Sequence, residues 1–384
     1  MPQKLWEADS QTKLKSNLFE FEKFLAKKFN YKPQKNYKKL FNWTIKNPKE
    51  FWSSIWEFSN IKGIKNDKYH FPKEIIKSKF LVNSKLNYAE NLLSKNDNSK
   101  AVTFISENGY REEKSWKELN INSLKLVRFF IENKIKEKDR IAAYTTNQIE
   151  TVESFLASSA IGAIWSSCSP DFGTQGVIER FSQIKPKLLI ITDRYCYNGK
   201  EINVIERLPS ILKKIKSIKS VLIINYPGKK ALKQKKIKGI KIFYYNKLKY
   251  KKERKFSFKK FDFDKELAIL YSSGTTGKPK CICHRAGGVL LQHLKEHKLH
   301  CDVKPGDNVF YFTTCGWMMW NWLMTFLASK ASIVLFDGFP MHKRKDLLLK
   351  IAEKEKISLF GISAKYIDQL KKLNLKIKNK YKLK

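Results

Sequence analysis

The stretch YSSGTTGKPK, residues 271–280, combines glycines, hydroxyl side chains and two lysines within ten positions. In a tight loop that contains glycine, backbone N–H groups can point together at an anion, while hydroxyls add donors and lysines add positive charge. This composition predicts a loop that binds a polyphosphate. By composition alone, a hairpin turn between two strands is the favoured interpretation, and only the full ten-residue string favours a phosphate loop.

The spacing of this stretch differs from that of the common nucleotide-binding P-loop. The Walker A pattern places four residues between its first glycine and a Gly-Lys pair that precedes Ser or Thr. Here two residues separate Gly274 from Gly277, and Pro279 follows Lys278, which disfavours a helix at that point. We therefore predict a strand, a loop and a second strand, with Lys280 at the beginning of the second strand.

Short β-rich runs alternate with amphipathic helical patterns over most of the chain. Strands are predicted at 140–146, 163–169, 186–192 and 220–226, with helices near 148–162, 174 and 203–217. A second series contains a helix over 286–299, strands at 308–314 and 332–338, a helix after Trp317, and a final helix, strand and helix. This alternation predicts an α/β fold with mostly parallel sheets flanked by helices.

The first part of the chain has a different pattern. Helices are predicted over 19–30 and after Pro48, where Phe51, Trp52, Ile55 and Trp56 share one side. We predict a helical cap region over residues 1–95, followed by a larger α/β domain over residues 96–384.

The full string YSSGTTGKPK resembles the phosphate loop of the adenylate-forming superfamily, which includes acyl-CoA synthetases, luciferases and peptide-synthetase adenylation domains. Four further segments are similar to the acetoacetyl-CoA synthetases within it: KLNYAENLL (85–93), SCSPDFG (167–173), HLKEHKLHCDVKPGD (293–307) and FTTCGWMMWNWL (312–323). The lead-in NWTIKNPKEFW resembles the N-terminal cap of acetyl-CoA and acetoacetyl-CoA synthetases. The resemblance implies that the loop residues bind the phosphates of ATP: Ser273, Gly274, Thr275, Thr276, Gly277, Lys278 and Lys280.

The resemblance implies a reaction in two steps. Acetoacetate and ATP give acetoacetyl-AMP and pyrophosphate, and coenzyme A then displaces AMP; Mg²⁺ bridges the phosphates. Another short-chain acid is the alternative substrate. The adenine-contacting segment, the ribose-binding Asp and the C-terminal domain with the adenylation lysine are expected beyond Lys384. The chain is therefore predicted to be an N-terminal fragment without that domain, which needs a complementing polypeptide.

Two more sites are implied by the same resemblance. Residues after a Gly-Trp pair line the acyl pocket of acetyl-CoA synthetases, which indicates Trp317, Met318 and Met319 here; packing in an apolar core is the alternative. Lys200 lies where acetyl-CoA synthetases have two arginines, so it is the candidate for coenzyme A binding. For Lys200, a solvated loop lysine is the favoured interpretation, and coenzyme A binding is the alternative.

Histidines and cysteines raise the question of a metal site, and we predict none. HLKEH (293–297) matches the H-x-x-E-H pattern of zinc proteases, but no third ligand is evident, so an ordinary surface helix is preferred. Cys281 and Cys283 are spaced as alternate residues of a strand and not as a zinc knuckle. They are predicted to be buried free thiols.

The formal net charge of +41 suggests nucleic acid as a partner of another class. The basic residues are mostly lysines spread through the whole chain, which indicates a general compositional bias, so nucleic-acid binding is kept only as the alternative function. The lysine-rich segment 228–260 is interpreted as a solvated charge run around one buried strand. Six scattered cysteines favour the reducing cytoplasm, and no apolar run is long enough to span a membrane.

Overall fold

The structure is a computed structural model that describes residues 7–33, 36–234, 236–249, 256–272, 277–375 and 377–383. The helices are α1 Ser10–Leu14, α2 Asn17–Lys28, α3 Tyr37–Lys46, α4 Pro48–Phe58, α5 Tyr88–Leu92, α6 Trp116–Glu132, α7 Ile149–Ala160, α8 Gly173–Ile184, α9 Leu208–Lys214, α10 Ala286–Lys295, α11 Met318–Thr325, α12 Leu347–Lys354, α13 Ala364–Lys372 and α14 Ile377–Lys380. The strands are β1 Gly63–Ile64, β2 Lys85–Leu86, β3 Lys100–Ser106, β4 Arg111–Ser115, β5 Arg140–Tyr144, β6 Ile164–Cys168, β7 Leu188–Thr192, β8 Arg194–Tyr197, β9 Lys200–Asn203, β10 Ser220–Ile224, β11 Lys241–Tyr244, β12 Phe261–Asp262, β13 Glu266–Ser272, β14 Lys280–Arg285, β15 Asn308–Tyr311, β16 Ser332–Asp337 and β17 Ile357–Gly361.

A seven-stranded sheet has the order β11-β10-β7-β5-β6-β13-β14. Its strands are parallel except for β14, which runs antiparallel to β13 at one edge. The central strands β6, β7 and β10 are buried along their whole length, as expected for a parallel sheet covered on both faces. Helices α7 and α8 follow β5 and β6 of this sheet in the sequence, and α9 precedes β10.

A second, five-stranded sheet has the order β17-β15-β16-β3-β4. Only β4 is antiparallel to its neighbour. Helix α6 begins directly after β4 with a capping box, in which the Ser115 hydroxyl accepts from the Glu118 N–H and the Glu118 carboxylate accepts from the Ser115 N–H. The prediction of an α/β fold with mostly parallel sheets is confirmed.

Several boundaries differ from those expected from the sequence. The helix predicted over 203–217 is limited to α9, because a 3-10 turn precedes it and Pro209 lies in its first turn. The helix predicted over 286–299 changes at Lys295 into a single π turn, residues 296–300. The strand within the lysine-rich segment is β11, a half-buried edge strand and not a buried one.

Helices α1 to α4 lie within the first 58 residues, as the helical pattern predicts. Phe21 of α2 packs edge-on against Phe58 of α4, with ring centroids 5.2 Å apart. Trp56 of α4 contacts Phe263, which follows β12, at 6.4 Å between ring centroids. Two short strands, β1 and β2, were not predicted from the sequence; together with β12 they form a three-stranded antiparallel sheet. These contacts join the N-terminal helices to the later part of the chain.

Among the described residues, none of the helices is both long enough and apolar enough to cross a membrane.

Candidate active site

The predicted phosphate loop lies in the β13–β14 hairpin. Strand β13 is parallel to β6, so the loop leaves the sheet at the edge where the parallel strands have their carboxyl ends. Ser272 pairs with Lys280 across the hairpin, which agrees with the predicted order of strand, loop and strand. In open α/β sheets, ligands bind at this edge.

The structure describes only some of the residues that were predicted to bind phosphate. Ser273, Gly274, Thr275 and Thr276 lie outside the described residues. Gly277 has a φ of +95°, a conformation that favours glycine, and Lys278 and Lys280 are both exposed. The Gln183 side chain of α8 donates to the Pro279 carbonyl at 3.0 Å. This hydrogen bond joins α8 to the residue directly before β14.

The carboxyl ends of the two sheets meet beside this hairpin, and Asn147 connects them. This residue follows β5 and is 1% exposed. Its side-chain amide donates to the carbonyls of Thr313 and Phe336, at 3.3 Å each, and its oxygen accepts from the indole N–H of Trp320 at 2.9 Å. Asn147 therefore links β5 of one sheet to the segments that follow β15 and end β16 in the other.

The turn before α11 is held by two further contacts with the seven-stranded sheet. The Ser167 hydroxyl donates to the Cys315 carbonyl at 2.5 Å, and the Cys315 thiol donates to the Thr145 carbonyl at 2.8 Å. A side chain at Gly316 would lie 3.1 Å from the Phe172 ring. The backbone that leads to Trp317 is therefore fixed against the ends of β5 and β6.

Asp337, the last residue of β16, contributes an ionisable group to this edge. Its Oδ1 accepts from the Asn147 backbone N–H at 3.4 Å, and its Oδ2 is buried. Burial raises the pKa of the Asp337 carboxyl to about 7. Neither Asp337 nor Asn147 was predicted from the sequence; the available signal was a polar residue at the end of β16 and another three residues after the end of β5.

The three predicted acyl-pocket residues lie at the beginning of α11. Trp317 and Met318 are 59% and 45% exposed, so these two residues are not part of an apolar core. Met318 and the half-buried Met319 line a cavity of about 590 Å³, together with Gln292, His293 and Trp322. Trp317 is not among the residues that line this cavity. The volume lies in the range of pockets that hold small ligands.

HLKEH does not lie on a surface helix, and that prediction is wrong. His293 and His297 are 5% and 0% exposed. The His293 ring shares a hydrogen bond of 2.7 Å with the Thr325 hydroxyl, and the His297 ring stacks on Phe326 with centroids 3.4 Å apart. The apolar side of α11 and its extension covers this helix. Within the described ranges, no group of three or more His, Cys, Asp or Glu side chains could hold a metal ion.

The buried histidines predict a pH-dependent stability. Desolvation lowers the pKa of His293 to about 3 and that of His297 well below its ordinary value. Between the folded-state pKa and the ordinary value near 6.5, the unfolded chain binds more protons, so the free energy of unfolding decreases as pH falls below about 6.5. We expect His293→Gln to reduce the loss of stability between about pH 7 and about pH 5 by about 2 kcal/mol, measured by urea unfolding. The exposed His70→Gln is the control; an identical pH slope in His293→Gln and wild type would contradict the prediction.

Lys200, the candidate for coenzyme A binding, begins β9 and is exposed. The β8–β9 turn beside it is held by Glu107, a residue that follows β3 and is 3% exposed. Its carboxylate accepts from the backbone N–H groups of Asn198 and Gly199 at 2.8 Å and of Phe339 at 2.6 Å. Glu107 was not predicted from the sequence, because its partners are distant in the chain.

Cys281 and Cys283 are free but exposed, so the prediction that they are buried is wrong. The physical reason is their position on β14, the outermost strand of the seven-stranded sheet, whose first four residues are all exposed. The remaining cysteines are also free.

Comparison with known proteins agrees with this arrangement. A family model described as AMP-binding enzyme matches residues 91–384. The chain is 38% identical over 376 residues to the acetoacetyl-coenzyme A synthetase of Rhizobium meliloti (strain 1021), covering 96% of this chain and 56% of that protein. It is also 38% identical over 383 residues to the acetoacetyl-CoA synthetase of Gallus gallus, covering 97% of this chain and 57% of that protein.

A solved structure of acetoacetyl-CoA synthetase from Streptomyces lividans superposes with a TM-score of 0.91 at 30% sequence identity, covering 100% of this chain and 58% of that chain. This chain thus spans somewhat more than half the length of the relatives that it matches. The match of the family model to most of its residues shows that the chain belongs to the AMP-binding enzyme family.

Proposed function

We propose that this chain supplies the nucleotide-phosphate site and the acyl site of an ATP-dependent acid–CoA ligase that acts on acetoacetate. In the first step, a carboxylate oxygen of acetoacetate attacks the α-phosphorus of ATP, and pyrophosphate leaves. In the second step, the thiolate of coenzyme A attacks the acyl carbon, and AMP leaves. The products are acetoacetyl-CoA, AMP and pyrophosphate.

The observation that carries this proposal is that Ser272 and Lys280, which border the phosphate loop, pair at the carboxyl edge of the parallel sheet, and that the adjacent strand β6 contacts the turn before α11 through Ser167. In the proposal, backbone N–H groups and hydroxyls from Ser273 to Gly277 surround the β and γ phosphates, and Lys278 and Lys280 offset their charge. Mg²⁺ would accompany the nucleotide and neutralise charge on its phosphates.

The acyl part of the proposal uses Trp317, Met318 and Met319. Met318 and Met319 border the cavity of about 590 Å³, where the thioethers offer an adaptable apolar wall and Gln292 offers an amide for a keto group. The named activity of the relatives favours acetoacetate over another short-chain acid. Lys200 is proposed to contact coenzyme A through its ammonium group.

We propose that residues 1–95 form a cap and residues 96–384 the main synthetase domain, and that a complementing polypeptide supplies the part of the relatives that this chain does not match. A cytoplasmic location belongs to the same proposal, because free thiols persist in a reducing compartment. In the direct test, this chain is mixed with a second polypeptide, namely the part of the Rhizobium meliloti protein that this chain does not match. Pyrophosphate release is then measured. Release that depends on acetoacetate, and is much lower with acetate or butyrate, is expected. No release with any acid would contradict the proposal.

Lys278→Ala and Lys280→Ala are expected to weaken ATP binding by this chain about tenfold or more each, since a hydrogen bond to a charged group contributes about 1.5–3 kcal/mol. Isothermal titration with ATP and Mg²⁺ measures the effect directly. Lys213→Ala, on the exposed end of α9, is the matched control and should bind ATP as the unmodified chain does. Equal affinity in all three variants would show that the hairpin does not bind the phosphates.

A further inference from the structure

A polar cavity of about 240 Å³ lies away from the hairpin, where the ends of α4 and α5, the π turn after α10 and the 3-10 extension of α11 come together. Among the described residues, its lining contains three lysines, Lys62, Lys298 and Lys330, and no aspartate or glutamate. In the part of the chain that the structure describes, none of these lysines forms an ion pair. The cavity therefore has a positive lining without internal compensation.

Three hydroxyl groups in the same lining have no hydrogen-bond partner within the described part of the chain. The Oγ atoms of Ser59, Ser94 and Ser329 are buried and unpaired among the described residues. Ser59 and Ser329 are 8% and 4% exposed. Buried hydroxyls are nearly always paired in folded proteins, and leaving one unpaired costs about 1–3 kcal/mol. Three such groups on three separate elements around one cavity indicate a ligand that accepts hydrogen bonds.

The position of Lys298 supports this interpretation. Its ammonium group is held at the cavity by the Phe58 carbonyl, at 3.3 Å, and lies 5.4 Å from the centroid of the Phe58 ring. Desolvation, reinforced by the charge of Lys330, lowers the pKa of Lys298 to about 8. The fold thus keeps a partly desolvated cation next to unpaired donors, and an anion in the cavity would stabilise both.

We propose that this cavity is a binding site for a small oxyanion of the phosphate or sulfate type. The anion would accept hydrogen bonds from Ser59, Ser94 and Ser329 and from the ammonium group of Lys298, with Lys62 and Lys330 adding positive charge at the opening. A volume of about 240 Å³ suits an ion of this size better than a nucleotide, because pockets for larger ligands are about 300–1,000 Å³. The lining shares no residue with the phosphate hairpin or with the cavity bordered by Met318 and Met319.

The test uses the whole chain and inorganic phosphate as the probe, compared with chloride at equal ionic strength. Because the hairpin could also bind phosphate, the starting protein is the double variant Lys278→Ala/Lys280→Ala. We expect saturable phosphate binding by calorimetry and a phosphate-specific rise in Tm in this protein. Adding Lys298→Met is expected to weaken the binding about tenfold or more, the usual contribution of a charge-assisted hydrogen bond.

Two further variants separate the site from general effects. Lys125, on α6, is another lysine whose pKa is lowered by burial, but it does not line this cavity. Lys125→Met should therefore leave phosphate binding unchanged. The double variant Ser59→Ala/Ser329→Ala keeps every charge and should still weaken phosphate binding severalfold. It tests the site even if Lys298→Met does not fold. Absence of saturable binding in the double variant, or binding of equal strength after both the Lys298 and the serine changes, would overturn the proposal. Loss of ATP binding at the hairpin would bear only on the proposed ligase function.

Discussion

Asn147→Leu is expected to lower the free energy of unfolding by about 3–5 kcal/mol, which is a large part of the stability of an ordinary domain. Leucine has a similar volume but makes no hydrogen bond. The substitution leaves the Trp320 indole N–H and the carbonyls of Thr313 and Phe336 without their partner at the junction of the two sheets. Urea unfolding followed by tryptophan fluorescence measures the change.

A double-mutant cycle with Trp320→Phe tests whether the indole contact is part of this loss. Trp320 is 0% exposed, and phenylalanine removes its N–H while keeping an aromatic ring. We expect a coupling energy of about 1 kcal/mol between the two positions. Asn133→Leu is the matched control, because Asn133 is half-buried and, among the described residues, its amide donates to Phe129 of its own helix end. A loss in Asn147→Leu no greater than that in Asn133→Leu would refute the linking role of Asn147.

Glu107→Ala is expected to destabilise the protein by about 3–5 kcal/mol and to loosen the β8–β9 hairpin. The substitution leaves three backbone N–H groups, at Asn198, Gly199 and Phe339, without the carboxylate that accepts from them. Glu107→Gln retains one acceptor oxygen and should lose less. Hydrogen exchange at the amides of residues 198 and 199 is the local measurement, and it should accelerate by at least about tenfold in Glu107→Ala.

The control for Glu107 is Glu113→Gln on β4, where the side chain is 41% exposed and accepts from Arg111. An exposed pair of this kind contributes only about 0–1 kcal/mol. Because Glu107 holds the turn next to Lys200, Glu107→Ala should also weaken coenzyme A binding if Lys200 contacts this substrate as proposed. Unchanged amide exchange at residues 198 and 199 would rule out the anchoring role.

The strands and helices of the α/β part were largely predictable from the sequence. The apolar runs at 186–192 and 220–226 contain β7 and β10, which are buried along their length, and continuous apolar runs of this length are typical of buried parallel strands. The hairpin around Gly277 was predictable because Pro279 excludes a helix and Gly277 permits a positive φ. Local backbone preferences are sufficient for such features.

The environment of individual side chains was less predictable. HLKEH has the composition of an exposed helix, yet α11 and its extension cover His293 and His297. The covering residues, Thr325 and Phe326, are distant in the sequence, so the local pattern does not predict this contact. The opposite error concerns Cys281 and Cys283, whose strand β14 has no neighbour on its outer side among the described strands. Burial depends on which elements meet, and this is a property of the whole chain.

The sequence by itself determined the class of fold, the position of the phosphate hairpin and the resemblance to acyl-CoA synthetases, because these depend on residue order and local conformation. Only the tertiary structure decided that Asn147 joins two sheets, that Glu107 anchors a distant turn, and that Ser59, Ser94 and Ser329 face one cavity with Lys298. Hydrogen bonds and charges act over a few ångströms in space, and residues far apart in the sequence come within that range only when the chain folds.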